Sequence, residues 1–136
     1  MIDYKNFKTD CNNIISTYLS SFGFRLDSIN EEDFIIFYTN NKIKLMISML
    51  DNFPHVGVSW EFIGMNLKRI KSSFIDDKLK IDQKEEMRFY KMFKEQNDLN
   101  DYPTQMRYAT ATMEKFYKPI LTGEVRLEDV IDEESA

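Results

Sequence analysis

The sequence predicts an α+β domain: an N-terminal helix, a four-stranded antiparallel meander sheet, then C-terminal helices. Three observations predict it. Apolar residues recur at spacings of three and four over residues 3–22. From Phe24 to Phe62, short β-branched and aromatic runs are separated by polar turns. After Gly64 the helical spacing returns and persists.

The first helix is expected over 3–22. Its apolar stripe is Tyr4, Phe7, Cys11, Ile14, Ile15, Tyr18, Leu19 and Phe22. Asp3 suits the N-cap. Gly23 stands where a helix wants a left-handed residue, and Phe24 can pack back on the last turn. Cys11 lies on the stripe and reads as a small core residue.

The first strand is expected over Phe24 to Ile29, with Asn30 to Asp33 as the turn into the second. Phe34 to Tyr38 and Ile43 to Met49 form a hairpin around Asn40-Asn41, because Asn tolerates positive φ. That register sets Tyr38 opposite Ile43, Ile36 opposite Leu45 and Phe34 opposite Ile47, all on one face. Asp51 to His55 makes a turn containing Pro54. In the fourth strand Val56, Val58, Trp60 and Phe62 share a face, and Gly57, Ser59 and Glu61 take the other.

In the C-terminal half, Leu67, Ile70 and Phe74 suggest a short helix. Asp82 opens the next, which carries Met87, Tyr90 and Phe93 and ends near Gln96. Asn97 to Tyr102 reads as a polar loop, and Pro103 fits the first turn of the last long helix. Met106, Ala109, Met113, Phe116, Tyr117, Ile120 and Leu121 form that helix's apolar face. Pro119 should bend it and Gly123 should stop it. Arg126 to Ile131 reads as one or two further turns, anchored by Leu127, Val130 and Ile131, and 131–136 as a frayed tail.

The 136 residues suit one domain spanning 1–136. Eleven Phe and seven Tyr are ample for a packed interior without a disulfide, and the single Cys11 forbids an intramolecular one. The net charge of −5 argues against general nucleic-acid binding and suits a basic protein partner. No apolar run approaches the ~20 residues that cross a bilayer, and no secretory apolar core is visible. A cytoplasmic protein, not bound to membrane, is the expectation.

No motif carries chemistry. His55, the only histidine, follows Pro54 in a turn with no nucleophile in an elbow or helix-terminus context. One His and one Cys are too few for the usual zinc sets. No Gly-rich phosphate loop occurs. The carboxylates at 31–33, 76–77, 82–86, 98–101 and 128–134 fall in predicted turns and helix ends, where they are solvated or cap. The one basic cluster, Lys68, Arg69 and Lys71, reads as a solvated face. No catalytic, metal-binding or cofactor-binding residue is therefore assigned.

Two phrases carry a resemblance. Tyr18-Leu-Ser-Ser-Phe-Gly-Phe24 ends the first helix and Pro119-Ile-Leu-Thr-Gly-Glu124 ends the last. With strands between, the arrangement resembles small bacterial immunity proteins of toxin systems, which implies a protein that masks a specific partner. The resemblance covers architecture and carries no functional residue. A second resemblance, to acidic secretion chaperones, rests on size, acidity and the initial helix–strand order. Those chaperones return to strands after the middle helix, which this sequence does not.

Ile35, Phe37, Met46 and Leu50 alternate onto the second sheet face with Lys42, Lys44 and Ser48. That face is either covered by the Met87–Phe93 helix or is an interaction surface for a protein partner or a second copy. The functional expectation is a non-enzymatic protein-binding module. The alternative is a small enzyme or ligand-binding domain with a pocket between sheet and C-terminal helices.

Overall fold

The N-terminal helix runs Tyr4–Asp10, widens into π-helical turns over Cys11–Ser16 and ends with Thr17–Ser20. The computed structural model describes residues 4–30, 32–52, 55–64, 70, 72–99 and 101–127. Phe7, Cys11, Ile15 and Leu19, each four residues apart, are buried. On a regular α-helix each such step overshoots one turn by roughly 40°, and the stripe would wind off the sheet. The wider π turns under-rotate and bring it back. Gly23 takes φ 80°. Its N–H bonds the Ser20 carbonyl at 3.1 Å, and the Phe24 N–H bonds the Leu19 carbonyl at 3.3 Å. These paired bonds are a Schellman closure, and Phe24 is buried against it. Asp3, the expected N-cap, lies outside the described residues.

Four strands follow in one antiparallel sheet of order β1-β2-β3-β4: β1 (Arg25–Asn30), β2 (Ile35–Thr39), β3 (Ile43–Asn52) and β4 (His55–Gly64). The expected meander is present; the expected register is not. Tyr38 pairs with Leu45 and Ile36 with Ile47, two residues away from the sequence-based pairing. A two-residue primed turn needs positive φ at both central residues. Only Asn41 has it, at 71°. The Asn40 side chain instead accepts from the amides of Lys42 and Ile43, both at 3.0 Å, and lengthens the loop. A shift of two preserves parity, so the paired side chains of β2 and β3 keep their expected faces.

Phe34 is not in β2. It takes φ 53°, and its carbonyl accepts from the Met49 N–H at 3.0 Å. The turn before it is held by Asn30, whose Oδ1 accepts from the amides of Glu32 and Asp33. β1 carries a bulge between Leu26 and Ser28, so Asp27 is the extra residue. β3 and β4 run longer than expected, to Asn52 and from His55. Asp51, Asn52 and His55 of the expected turn thus belong to strands, and residues 53–54 lie outside the described set.

The chain then forms helices Ser72–Leu79 and Gln83–Gln96, followed by a long helix. That helix runs Tyr102–Thr112, is π-helical over Met113–Tyr117 and ends with Lys118–Thr122. Asp82 caps the second helix through the Lys84 N–H at 2.8 Å, and Asp101 caps the third through the Thr104 N–H at 2.8 Å. The irregular end of the long helix fits the Pro119 ring, which collides with a regular preceding turn. Gly123 closes it at φ 82°. Leu127 is buried; Val130, Ile131 and the 131–136 tail lie outside the described residues.

One sheet face makes the core. Ile36, Tyr38, Ile43, Leu45, Ile47, Met49 and Phe62 are buried there. They join one cluster with Cys11, Ile15 and Leu19 of the first helix and Met106, Ala109, Met113, Tyr117 and Ile120 of the last. Each large side chain so buried contributes about 1.5–3 kcal/mol as an upper estimate. The surface pairs Lys44–Asp27 (3.3 Å) and Lys118–Glu114 (2.9 Å) contribute ~0–1 kcal/mol each, so burial dominates. The buried Tyr38 hydroxyl is satisfied by the Ser16 hydroxyl, 2.8 Å away.

Candidate interaction surface

The second sheet face is built by the strand alternation itself. Paired residues across the four strands make three rungs. The central rung is Ser28–Phe37–Met46–Glu61. On one side lies Asn30–Ile35–Ser48–Ser59, on the other Arg25–Thr39–Lys44–Ile63. Ile35, Phe37 and Met46 are half-buried, and Ser28, Asn30 and Ser59 are exposed. Across the rungs the Lys44 ammonium reaches the carboxylate of the bulged Asp27 at 3.3 Å. The arrangement is an apolar centre of Ile35, Phe37 and Met46 in a mostly polar and charged frame, with Ile63 buried at one corner.

The sequence left open whether the Met87–Phe93 helix covers this face. It packs elsewhere. Phe89, Tyr90 and Phe93 surround Tyr108 of the long helix, with ring centroids 6.2, 5.5 and 5.4 Å away. Phe89 also meets Phe116 edge-on. The working face is Glu86, Phe89, Tyr90 and Phe93. Met87 falls outside that arc and is 55% exposed. The Phe37–Met46 pair is half-buried, Thr39 and Ile63 at one end of the same face are buried, and Ile75 of the Ser72–Leu79 helix borders Met46 at the β4 edge.

The six residues singled out from sequence are therefore divided. Ile35, Phe37, Lys44 and Met46 share the open face as expected. Lys42 belongs to the hairpin loop, and its ammonium lies 3.8 Å from where a Cβ on Gly123 would stand. Leu50 pairs with Gly57 in the same register, and its side chain lies outside the described set. So does that of His55, which begins β4 and does not sit in a turn. Lys68, Arg69 and Lys71 are outside the described residues too.

A second constellation sits at the β4 edge. A cavity of about 290 Å3 is lined by Met46, Ser59 and Glu61 from the open face and by Trp60, Phe62, Ile70, Ile75 and Tyr117. The Ile70 N–H bonds the Phe62 carbonyl at 3.2 Å and draws the chain against this edge. The Tyr117 hydroxyl donates to Asp76 Oδ1 at 2.8 Å. Burial and the Asp76 carboxylate push the Tyr117 phenol well above its usual range, so it holds its proton. Glu86 Oε1 is buried without a partner among the described residues. Burial first, and the Asp76 charge second, raise the Glu86 carboxyl. Sequence reasoning placed both acids in solvated helix ends; only the packing of three helices brings them together.

Elsewhere the titratable groups are structural. Burial, with the Asp10 charge beside it, pushes the Cys11 thiol up to about 12. Tyr18 donates to Glu114 at 2.8 Å, and Lys118 donates to the same carboxylate at 2.9 Å. Those two bonds hold the Glu114 carboxyl below its ordinary range. Among the described residues no helix is long and apolar enough to cross a membrane. The chain matches no protein-family model, no curated protein and no solved structure.

Proposed function

We propose that this protein is a non-enzymatic, cytoplasmic binding module that masks one protein partner, in the manner of immunity proteins. The observation that carries the reading is the half-exposed Phe37–Met46 pair, with Ile35 beside it, on a sheet face that also carries Ser28, Asn30, Lys44, Ser48, Ser59 and Glu61. Apolar centres framed by polar rims are the anatomy of protein interfaces. Four strands at ~4.8 Å spacing and three rungs at ~6.8 Å give a patch of roughly 400 Å2, against ~800 Å2 per partner in a standard interface. The patch thus supplies the anchor of an interface, with its rim drawn from neighbouring loops. A net charge of −5 favours a basic partner. Self-association through the same face is the other form of this reading.

The test is the double variant Phe37→Glu, Met46→Glu. Association, read by sedimentation with the wild-type partner or with itself, should be lost while the thermal melt stays near wild type. Unfolding of the variant would make the face core; unchanged association would place the interface elsewhere.

A second reading, a ligand-binding or enzymatic pocket, is favoured by the cavity at the β4 edge beside Tyr117, Asp76 and Glu86. Tyr117→Phe removes the hydroxyl and keeps the ring. Loss of biological activity in that folded variant, with activity kept in Phe37→Glu, Met46→Glu, would favour this second reading.

A further inference from the structure

At the far end of the sheet from the β3–β4 turn, a cavity of about 460 Å3 opens between the Asn40–Ile43 loop and the segment from Gly123 to Leu127. Its volume falls within the ~300–1,000 Å3 of small-molecule pockets. Its floor is apolar: Ile43, Ile120 and Leu127 are buried side chains presented at the wall, with Val125 beside them. Its rim is polar and basic, carrying Asn40, Asn41, Lys42 and Arg126, and none of its lining residues among those described is acidic. In a chain with 23 acidic and 18 basic residues, the described lining is locally inverted in charge.

Two donors at the rim are uncommitted. Lys42 has no ion pair or hydrogen bond among the described residues, although its ammonium stands over Gly123. Asn40 spends its Oδ1 on the amides of Lys42 and Ile43, which orients the carboxamide and leaves its Nδ2 as a donor. Next to them Asn41 Oδ1 accepts from the Arg25 guanidinium at 2.9 Å, which fixes that side of the loop. Both walls are held by local devices: the loop by the Asn40 side chain, the opposite segment by Gly123 at φ 82° and the Val125–Pro119 backbone bond of 3.0 Å. Fixed donors over an apolar floor recognise a molecule with a charged head and an apolar body.

We propose that this cleft is a binding site for a small organic carboxylate with a compact apolar body, its carboxylate held by Lys42 and Asn40 and its body on Ile43, Ile120 and Leu127. The site is separate from the Phe37–Met46 face, and its test is independent of that reading. Phenylacetate, 3-phenylpropionate and 4-phenylbutyrate would be titrated into the isotopically labelled protein, alongside their primary amides. Backbone amide shifts should concentrate at Ile43, Gly123, Val125 and Leu127. At least one acid should bind tenfold or more tightly than its amide. Lys42→Met, which keeps the alkyl stem, should erase that tenfold preference, and Lys42→Arg should keep most of it. Equal binding of acids and amides, shifts centred elsewhere, or no shift with any of the six probes would overturn the proposal. Lys42 is exposed, so both variants should fold, and their unperturbed spectra check that they do.

Discussion

Glu86 is the residue whose environment has the clearest consequence in solution. Its Oε1 is buried without a partner among the described residues, and its carboxyl is raised by burial and by Asp76. The folded chain therefore holds this proton more tightly than the unfolded chain. The contribution of Glu86 to stability is greatest below the ordinary carboxylate range and is lost as pH rises through its unfolded and then its folded pKa. Glu86→Gln should raise the melting temperature at pH 7 and flatten its dependence above about pH 4. A variant that melts with the wild-type pH profile would show that the proton is held elsewhere. Leu45 is fully buried in the centre of the sheet, so Leu45→Asp should unfold the domain, an uncompensated buried charge costing several kcal/mol. A cooperative near-native melt of that variant would contradict the facing of β3. Cys11 gives a kinetic prediction: with its thiol pushed up to about 12, native labelling by a disulfide reagent should be limited by opening of the fold. Prompt labelling at neutral pH would contradict its burial.

At the scale of elements, the boundaries were legible wherever one local device decides them. Gly23 and Gly123 both take the left-handed conformation expected of a helix stop, and Asp82 and Asp101 cap the helices that follow them. Gly23→Ala isolates that device, because a Cβ there would meet nothing within 4 Å. Its cost should be about 1 kcal/mol and wholly conformational, read from a denaturant midpoint with unchanged slope. What was illegible depends on more than one segment. The hairpin register turned on whether the Asn40 side chain or its backbone made the turn. The π-helical turns at Cys11–Ser16 keep the four-residue stripe on the sheet, a demand set by the packing partner rather than by the helix itself. The packing arc of the Gln83–Gln96 helix was not legible, because Met, Tyr and Phe crowd nearly all its sides and only contact with Tyr108 selects the arc.

At the scale of the molecule, both sheet faces carry apolar residues, and sequence alone did not say which the helices would cover. The parity of the strands identified the core face; the open face became visible only when the Gln83–Gln96 helix was seen to pack on the long helix. That helix has no fully buried residue, so it is held by ring contacts around Tyr108 and should be the first long element to open. In hydrogen exchange its amides should lose protection well before those of β3, and Tyr108→Ala should widen the gap. Equal protection of the two would show that the helix opens only with the whole fold. The acid pair Asp76 and Glu86 is legible only at this scale, since it is assembled from two helices and the Tyr117 hydroxyl.

The bulge at Asp27 governs how this protein can polymerise. Open sheets aggregate by adding strands at their margins. On the β4 margin, the Ile70 N–H already occupies the Phe62 carbonyl. The β1 margin is solvent-facing at every residue except Ile29, and so is the one a foreign strand would approach. There the ladder steps by one residue between Leu26 and Ser28. A strand in register with Ser28 to Asn30 is out of register with Arg25 and Leu26, so a straight guest can pair along half of this margin only. Deleting Asp27 would straighten the margin and remove the Lys44 partner in one change. The resulting chain should form fibrils under shaking at concentrations where the wild type stays monodisperse.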